Sequence, residues 1–327
     1  MKKIIFKNYQ CPGDGVMLLY AIEALHQSYP GQYLTDVDCC YRDLFYGQNT
    51  ITHLNKSDPD VSVIDVGYNL IHQSNQNPVH FIYGFLNDIN EKLKINIKPI
   101  SWTGFLKITP EENSWYSAIY EKLGKDVPYW IIDAGNKKDF TCKQWGLVNY
   151  QQVVNDNPNV TFVQIGIIDP HHIHPRLQGK NVIDLIGKTD LRQLIRLIYN
   201  SFGVITPCSM PMVLSYAIPP HPRFNRKSRA CIVIAGGREP NTWQQGPNQQ
   251  FLHTCGQLDC CDLGGCWHSR IIKLNDGDPN DLNLCEKPVQ LSNGQIVPLC
   301  MAMISPNEVS RHIRKYMDNL VLKETNI

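Results

Sequence analysis

The stretches that decide the fold are Ile4-Ile5-Phe6, Cys11-Pro12-Gly13-Asp14-Gly15, and the apolar run 16–28 closed by Pro30-Gly31. The first reads as a short strand. The second reads as a tight turn, because glycine adopts backbone that other residues avoid. The third reads as a helix stopped by its Pro-Gly pair. Residues 32–37 and 61–66 read as further strands and 80–93 as another helix. Strand, helix and strand in this rhythm predict parallel βαβ units. The pattern restarts near 127: strands over 129–133, 160–165, 204–206 and 231–235 alternate with helices near Gln151, over 191–199 and over 211–217. Leu191, Leu194, Ile195 and Ile198 recur at helical spacing. A closing helix over 306–317 takes Ser305 as N-cap, with Glu308 completing a capping box. The fold class is α/β, with two Rossmann-like domains, 1–125 and 126–305, and a terminal helix, 306–327. Loops at the carboxyl ends of such sheets bind ligands, so facing domains direct their loops into one cleft.

The remaining features agree with that outline. At about 150 residues per domain, 327 residues make about two. Lys and Arg total 31 against 30 Asp and Glu, a net charge of +1, so bulk charge favours neither nucleic acid nor an anionic membrane. The first residues turn polar after three apolar ones, and no 18 apolar residues run together. Neither an export signal nor a transmembrane segment is expected, and the predicted location is the cytoplasm. Of twelve cysteines, six fall within 255–300. In a reducing compartment such clustering favours a metal over disulfides.

Several loops carry candidate chemistry. Asp14 is placed to act as a general base at the cleft floor, or to cap its helix. The segment 136–145 supplies Lys137, Lys138, Thr141 and Lys143 ahead of a helix, which suits a phosphate, or a solvated loop. Gly187-Lys188-Thr189 lacks the first glycine of a nucleotide-phosphate loop, since position 182 is Val, so a nucleoside-triphosphatase is excluded. Thr189 or Asp190 then caps the following helix. Backbone amides near Ser209 and Met210 can hold an anion or a sugar hydroxyl. In Gly236-Gly237-Arg238-Glu239 the guanidinium fork suits a diphosphate and the glycines admit close approach, or else Arg238 pairs with Glu239. His171, His172 and His174 read as hydrogen-bonding groups more than as metal ligands. Cys261, Cys266, Cys285 and Cys300, with Cys260 as alternate to Cys261, suit a closed four-thiolate site for structural Zn or Fe. The Gly- and Pro-rich segment 251–300 would gain order from such an ion.

Taken together the chain resembles the ADP-heptose:lipopolysaccharide heptosyltransferases, the family 9 glycosyltransferases, over most of its length. Residues 12–31 are similar to the family's opening Gly-Asp signature, Lys143-Gln144-Trp145 to its Lys-x-Trp segment, and residues 181–189 to its Leu-x-Gly-Lys-Thr loop. The run 235–267, with Gly236-Gly237-Arg238-Glu239-Pro240 and Cys260-Cys261 through Cys266-Trp267, resembles the cysteine-rich branch that includes bacterial autotransporter heptosyltransferases. The resemblance implies the GT-B architecture, with an acceptor domain at 1–125 and a nucleotide-sugar domain at 126–305. It implies inverting transfer of heptose or a related sugar from an ADP-sugar to a saccharide or protein hydroxyl. Asp14 would be the base. Donor-binding residues would be Gly13, Lys137, Thr141, Lys143, Lys188, Thr189, Ser209, Met210 and Arg238. Chemistry would need no metal, the structural site would hold iron or zinc, and a homo-oligomer is admitted. Cys208-Ser209-Met210-Pro211-Met212-Val213 departs from the family's Asp-[Ser/Thr]-Gly-Pro-Met-His. That departure raises one alternative, a protein of the same fold that binds a nucleotide or partner without turnover; the cysteine cluster raises another, a metal-dependent redox or sensing role.

Overall fold

A computed structural model describes residues 1–74, 76–115 and 118–324. In the amino-terminal lobe β1 (Lys2–Lys7) leads into α1 (Pro12–Ser28), followed by β2 (Tyr33–Asp38), β3 (Val61–Asp65) and α2 (Phe81–Leu93). The three strands are parallel in the order β2-β1-β3, with Ile4 opposite Thr35 on one side and Ser62 on the other. Every residue of α1 from Gly15 to Leu25 is buried. It is therefore a core helix, apolar on nearly all sides.

The start of α1 corrects the sequence expectation. Residues 12–15 are the helix's first turn, not a tight turn before it. Pro12 sits where a missing N–H costs nothing, and Cys11 and Asp14 close a capping box. Gly15 is there for packing, while Gly13 lies at ordinary contact distance from the other lobe. A Cβ on Gly15 would stand 2.3 Å from the Tyr41 ring, and one on Gly13 would stand 3.5 Å from Met210 Cα of the other lobe.

The carboxyl-terminal lobe contains β4 (Tyr129–Ile132), α3 (Leu147–Asp156), β5 (Thr161–Gln164), β6 (Val182–Asp184), α4 (Leu191–Asn200), β7 (Gly203–Pro207), α5 (Met210–Ala217), β8 (Ala230–Gly236), β9 (Gln249–His253) and α6 (Pro306–Glu324). The six strands of its main sheet are all parallel in the order β9-β8-β7-β4-β5-β6. That is the doubly wound Rossmann order, and it reverses between β4 and β7, where such sheets bind ligands. The edge strand β9 has no counterpart in the sequence reading. The cap of α6 forms as expected, with the Glu308 N–H donating to Ser305 Oγ at 3.2 Å.

One apolar core runs through both lobes, joining Phe6, Leu18 and Phe85 to Val204, Leu214 and Val233. A second core lies around Trp130, Trp145, Phe162 and Ile232. The seam is also hydrogen-bonded: the Gly104 and Leu106 N–H groups donate to the Tyr216 and Ala217 carbonyls at 3.2 and 2.9 Å. Buried Arg192 of α4 donates from Nε to Glu112 Oε1 at 2.5 Å and from a terminal nitrogen to the Leu44 carbonyl at 3.2 Å. Burial pushes the Glu112 carboxyl up, but its bonds to Arg192 and Thr109 outweigh this and hold it below its ordinary value. A depressed carboxylate stabilises the fold above its unfolded pKa, and that contribution is lost as pH falls. Glu112→Gln is therefore expected to lose about 2 kcal/mol in denaturant unfolding at pH 7, with the gap to wild type narrowing in acid. A variant as stable as wild type at pH 7 would remove this pair from the forces joining the lobes.

Candidate active site

The carboxyl end of β1 delivers Asp14, while β4, β7 and β8 deliver residues 133–143, 208–210 and 236–239 of the other lobe. The amino ends of α1 and α5 meet where Gly13 touches Met210. Asp14 Oδ2 accepts the Cys11 N–H at 3.0 Å, so the capping contact is present. Burial raises the Asp14 carboxyl to about 6; the Cys11 N–H and the Lys143 charge oppose the rise, and the Glu239 charge adds to it. A carboxyl poised there accepts a proton near neutrality.

The facing wall is cationic. Lys143 Nζ lies 2.9 Å from Glu239 Oε1 and donates to the Cys208 carbonyl at 3.1 Å. Arg238 pairs with the same Glu239 oxygen and donates from Nε to the His268 carbonyl at 2.8 Å. Glu239 is only 4% exposed. Burial alone would raise its pKa, but Lys143 and Arg238 outweigh that and keep it below its usual value. Two cations against one carboxylate leave a local excess of positive charge. Lys137 donates to Cys11 Sγ at 3.2 Å across the lobes, and its charge also acts on Asp14.

Gly13, Lys137, Lys143 and Met210 thus gather at Asp14, with Arg238 and Ser209 one contact further out. Ser209 Oγ donates to Asp133 Oδ2 at 2.9 Å. Thr141 turns away: its Oγ1 accepts the Ile271 N–H at 3.1 Å and braces the cysteine-rich segment. Lys188 donates to the Asp184 carbonyl of its own loop at 2.8 Å, and Asp190, one residue past Thr189, caps α4 by accepting the Gln193 N–H at 2.7 Å.

Sequence reasoning missed the polar group behind Ser209. Asp133, directly after β4, also accepts from Thr206 at 3.4 Å and is 8% exposed, and burial raises its pKa. His174 lies in a slot between two glycines: a Cβ on Gly135 or Gly166 would stand 1.9 or 2.4 Å from its Nδ1. Asp133 stands directly at the carboxyl end of β4, and a carboxylate at a strand's carboxyl end was the available signal. His172 pairs with Asp169 at 2.7 Å.

The thiols converge. A cavity of about 10 Å³ is bounded by Cys142, Cys260, Cys261, Cys266, Cys285 and Cys300. Cys142, outside the predicted ligand set, lines the cavity too, and its thiol is pushed up chiefly by its interaction with Cys285. The paired glycines, expected to admit a ligand, instead admit sulfur. A Cβ on Gly237 would lie 3.0 Å from Cys261 Sγ, and one on Gly236, at φ +63°, would lie 2.5 Å from Met301 Sδ. The Cys266 and Trp267 N–H groups donate to the Gly237 and Arg238 carbonyls, both at 3.1 Å, fastening this segment to the cationic loop. Soft sulfur donors suit zinc or iron, but among the described residues no three His, Cys, Asp or Glu side chains are grouped closely enough to hold an ion.

No protein-family model matches the chain, and no curated protein matches it in sequence. Solved structures do. The family 9 glycosyl transferase from Veillonella parvula is 12% identical with a TM-score of 0.58, the likeness covering 98% of each chain. The ADP-heptose lps heptosyltransferase II of E. coli is 14% identical with a TM-score of 0.56, covering 99% of this chain and 100% of that one. The iron-containing dodecameric glycosyltransferase TibC from enterotoxigenic E. coli is 16% identical with a TM-score of 0.60, covering 98% of this chain and 76% of that one. At these identities the likeness establishes the fold. Among the described residues no helix is long and apolar enough to cross a membrane.

Proposed function

We propose that the protein is an inverting glycosyltransferase that moves heptose, or a related sugar, from an ADP-sugar to an acceptor hydroxyl on a saccharide or protein. The observation that carries this is Asp14, whose carboxyl burial raises to about 6 within reach of the Lys143 charge, with Arg238 sharing Glu239 with that lysine. Asp14 takes the proton of the acceptor hydroxyl while that oxygen bonds to the anomeric carbon. The bond from that carbon to the diphosphate breaks, and ADP leaves. Lys143, Arg238 and the amides opening α5 oppose the charge that develops on the diphosphate. No metal takes part in these steps. The fold shared with the E. coli ADP-heptose lps heptosyltransferase II and with two further glycosyltransferases supports this reading. Incubation with ADP-heptose tests it: ADP release that requires Asp14 is expected, and no release with any acceptor would end the proposal. The altered loop 208–213 favours a second reading, a silent binder, for which tight ADP binding without turnover would be the signature.

The thiol cavity is proposed to hold a structural zinc or iron through Cys261, Cys266, Cys285 and Cys300, with Cys260 or Cys142 as alternates. The ion would supply folding free energy to the segment 251–300 and nothing to catalysis. The donor set supports this, as does the likeness to the iron-containing TibC; closing the thiols around one ion requires them to move inward. All twelve cysteines are free, which suits the reducing cytoplasm. Elemental analysis is expected to find one metal per chain, and Cys266→Ser to lose it together with several kcal/mol of stability. Metal-free purified protein, or a stable and metal-loaded Cys266→Ser, would refute the site.

A further inference from the structure

A second concavity of about 600 Å³ opens between the lobes, within the roughly 300–1,000 Å³ usual for small-molecule sites. The amino-terminal lobe gives it His80, which caps α2, with Tyr83 in the first turn and Trp102 from the following segment. The other lobe gives it Asn241, Gln245 and Asn248. Its lining contains no Lys, Arg, Asp or Glu, although such residues make up 19% of the chain. Anionic ligands therefore find no counter-charge, and the carboxamides argue against a lipid chain.

His80 sharpens this. Its Nδ1 accepts the Ile82 N–H at 3.1 Å, which assigns the proton to Nε2. Burial lowers the ring's pKa to about 4, and the nearby Gln244 carbonyl offsets this only in part. Its Nε2 has no hydrogen bond of acceptable geometry, although the residue is 5% exposed. The ring is thus neutral at the pocket wall, with Nε2 shielded beside the Gln244 carbonyl, and adds no charge to the lining.

The rings decide between planar and puckered ligands. Trp102 meets Tyr83 at 5.7 Å and 60°, and His80 at 4.5 Å and 46°. These faces form a corner, not the parallel pair that clasps a nucleobase. A corner of aromatic faces fits a ring that presents C–H groups in several directions and hydroxyls at its edge. Two side chains separate the pocket from Asp14. Phe81, next to His80, packs edge-on against Tyr68 at 4.5 Å, and the Tyr68 phenol, raised chiefly by burial, also feels the Asp14 charge.

We propose that this aromatic corner seats an uncharged saccharide, the part of the acceptor that lies beyond the hydroxyl activated by Asp14. The acceptor role rests on the glycosyltransferase reading; the saccharide site does not. Saturation-transfer NMR and tryptophan fluorescence with cellotriose, maltotriose, mannotriose and chitotriose, without donor, test the site directly. At least one is expected to bind with Kd on the order of 1 mM. Trp102→Ala should weaken it tenfold or more, Trp102→Phe by no more than about threefold, and Tyr83→Ala, at a 36% exposed rim position, severalfold. Binding of none of the four, binding indifferent to both Trp102→Ala and Tyr83→Ala, or adenosine alone responding to Trp102→Ala would overturn the site. ADP-heptose hydrolysis by wild type is measured separately. Hydrolysis with no saccharide binding removes this inference and leaves the enzyme. Saccharide binding with neither hydrolysis nor ADP binding removes the acceptor role together with the transferase reading.

Discussion

Asp14→Asn is expected to lower transfer about a thousandfold, within the range that a positioned general base contributes. The asparagine oxygen still accepts the Cys11 N–H, so the amino end of α1 stays capped. What goes is the group that accepts the acceptor's proton. The pH profile gives the more searching check. In wild type the base must be ionised, and its pKa is raised to about 6. Activity should therefore fall about tenfold per unit as pH drops below 6, and the residual activity of the variant should lack that limb. Stability should move the other way. A raised carboxyl means that the fold favours the protonated form, so its contribution is complete below the unfolded pKa and is lost as pH rises through 6. The shift is worth at most about 3 kcal/mol. Asp14→Asn should then unfold at higher denaturant than wild type at pH 8 and show no such advantage at pH 4. Transfer within tenfold of wild type would remove Asp14 from the chemistry.

Lys143→Met is expected to lower transfer by two to three orders of magnitude, the scale of losing one preorganised group that stabilises developing charge. The KM for the donor should rise with it. A structural cost accompanies this, because Lys143 is one of two cations holding the buried Glu239 ionised. Removing one partner of a buried ion group typically destabilises by about 3 kcal/mol. Lys143→Met with Glu239→Gln should recover most of that stability and none of the activity. A single variant with an unchanged donor KM, or a double variant with restored turnover, would mean that Lys143 serves the fold alone.

The α/β alternation was legible because buried parallel strands such as Tyr129–Ile132 are short and uniformly apolar. Asp14 was legible because it follows the first of them. The same logic would have found Asp133, but the lysine-rich stretch after it drew the functional reading downstream. The first turn of α1 was misjudged because Gly13 and Gly15 look like turn residues; Gly15 instead makes room for Tyr41, distant in sequence. β9 begins Gln249-Gln250 and gave no apolar run. Cys142 stands 118 positions before Cys260, so only the fold could bring it to the other thiols. Gly236 and Gly237 were right as a signal of close approach and wrong about what approaches.

The shared apolar core and the buried Arg192–Glu112 pair bear on how substrates come and go. A clamshell that gapes needs a wet, weakly held seam; here gaping would strip water-shielded carbon and a dry ion pair into solvent on every turnover. Small-angle scattering of the free and ADP-loaded protein is therefore expected to give superimposable curves.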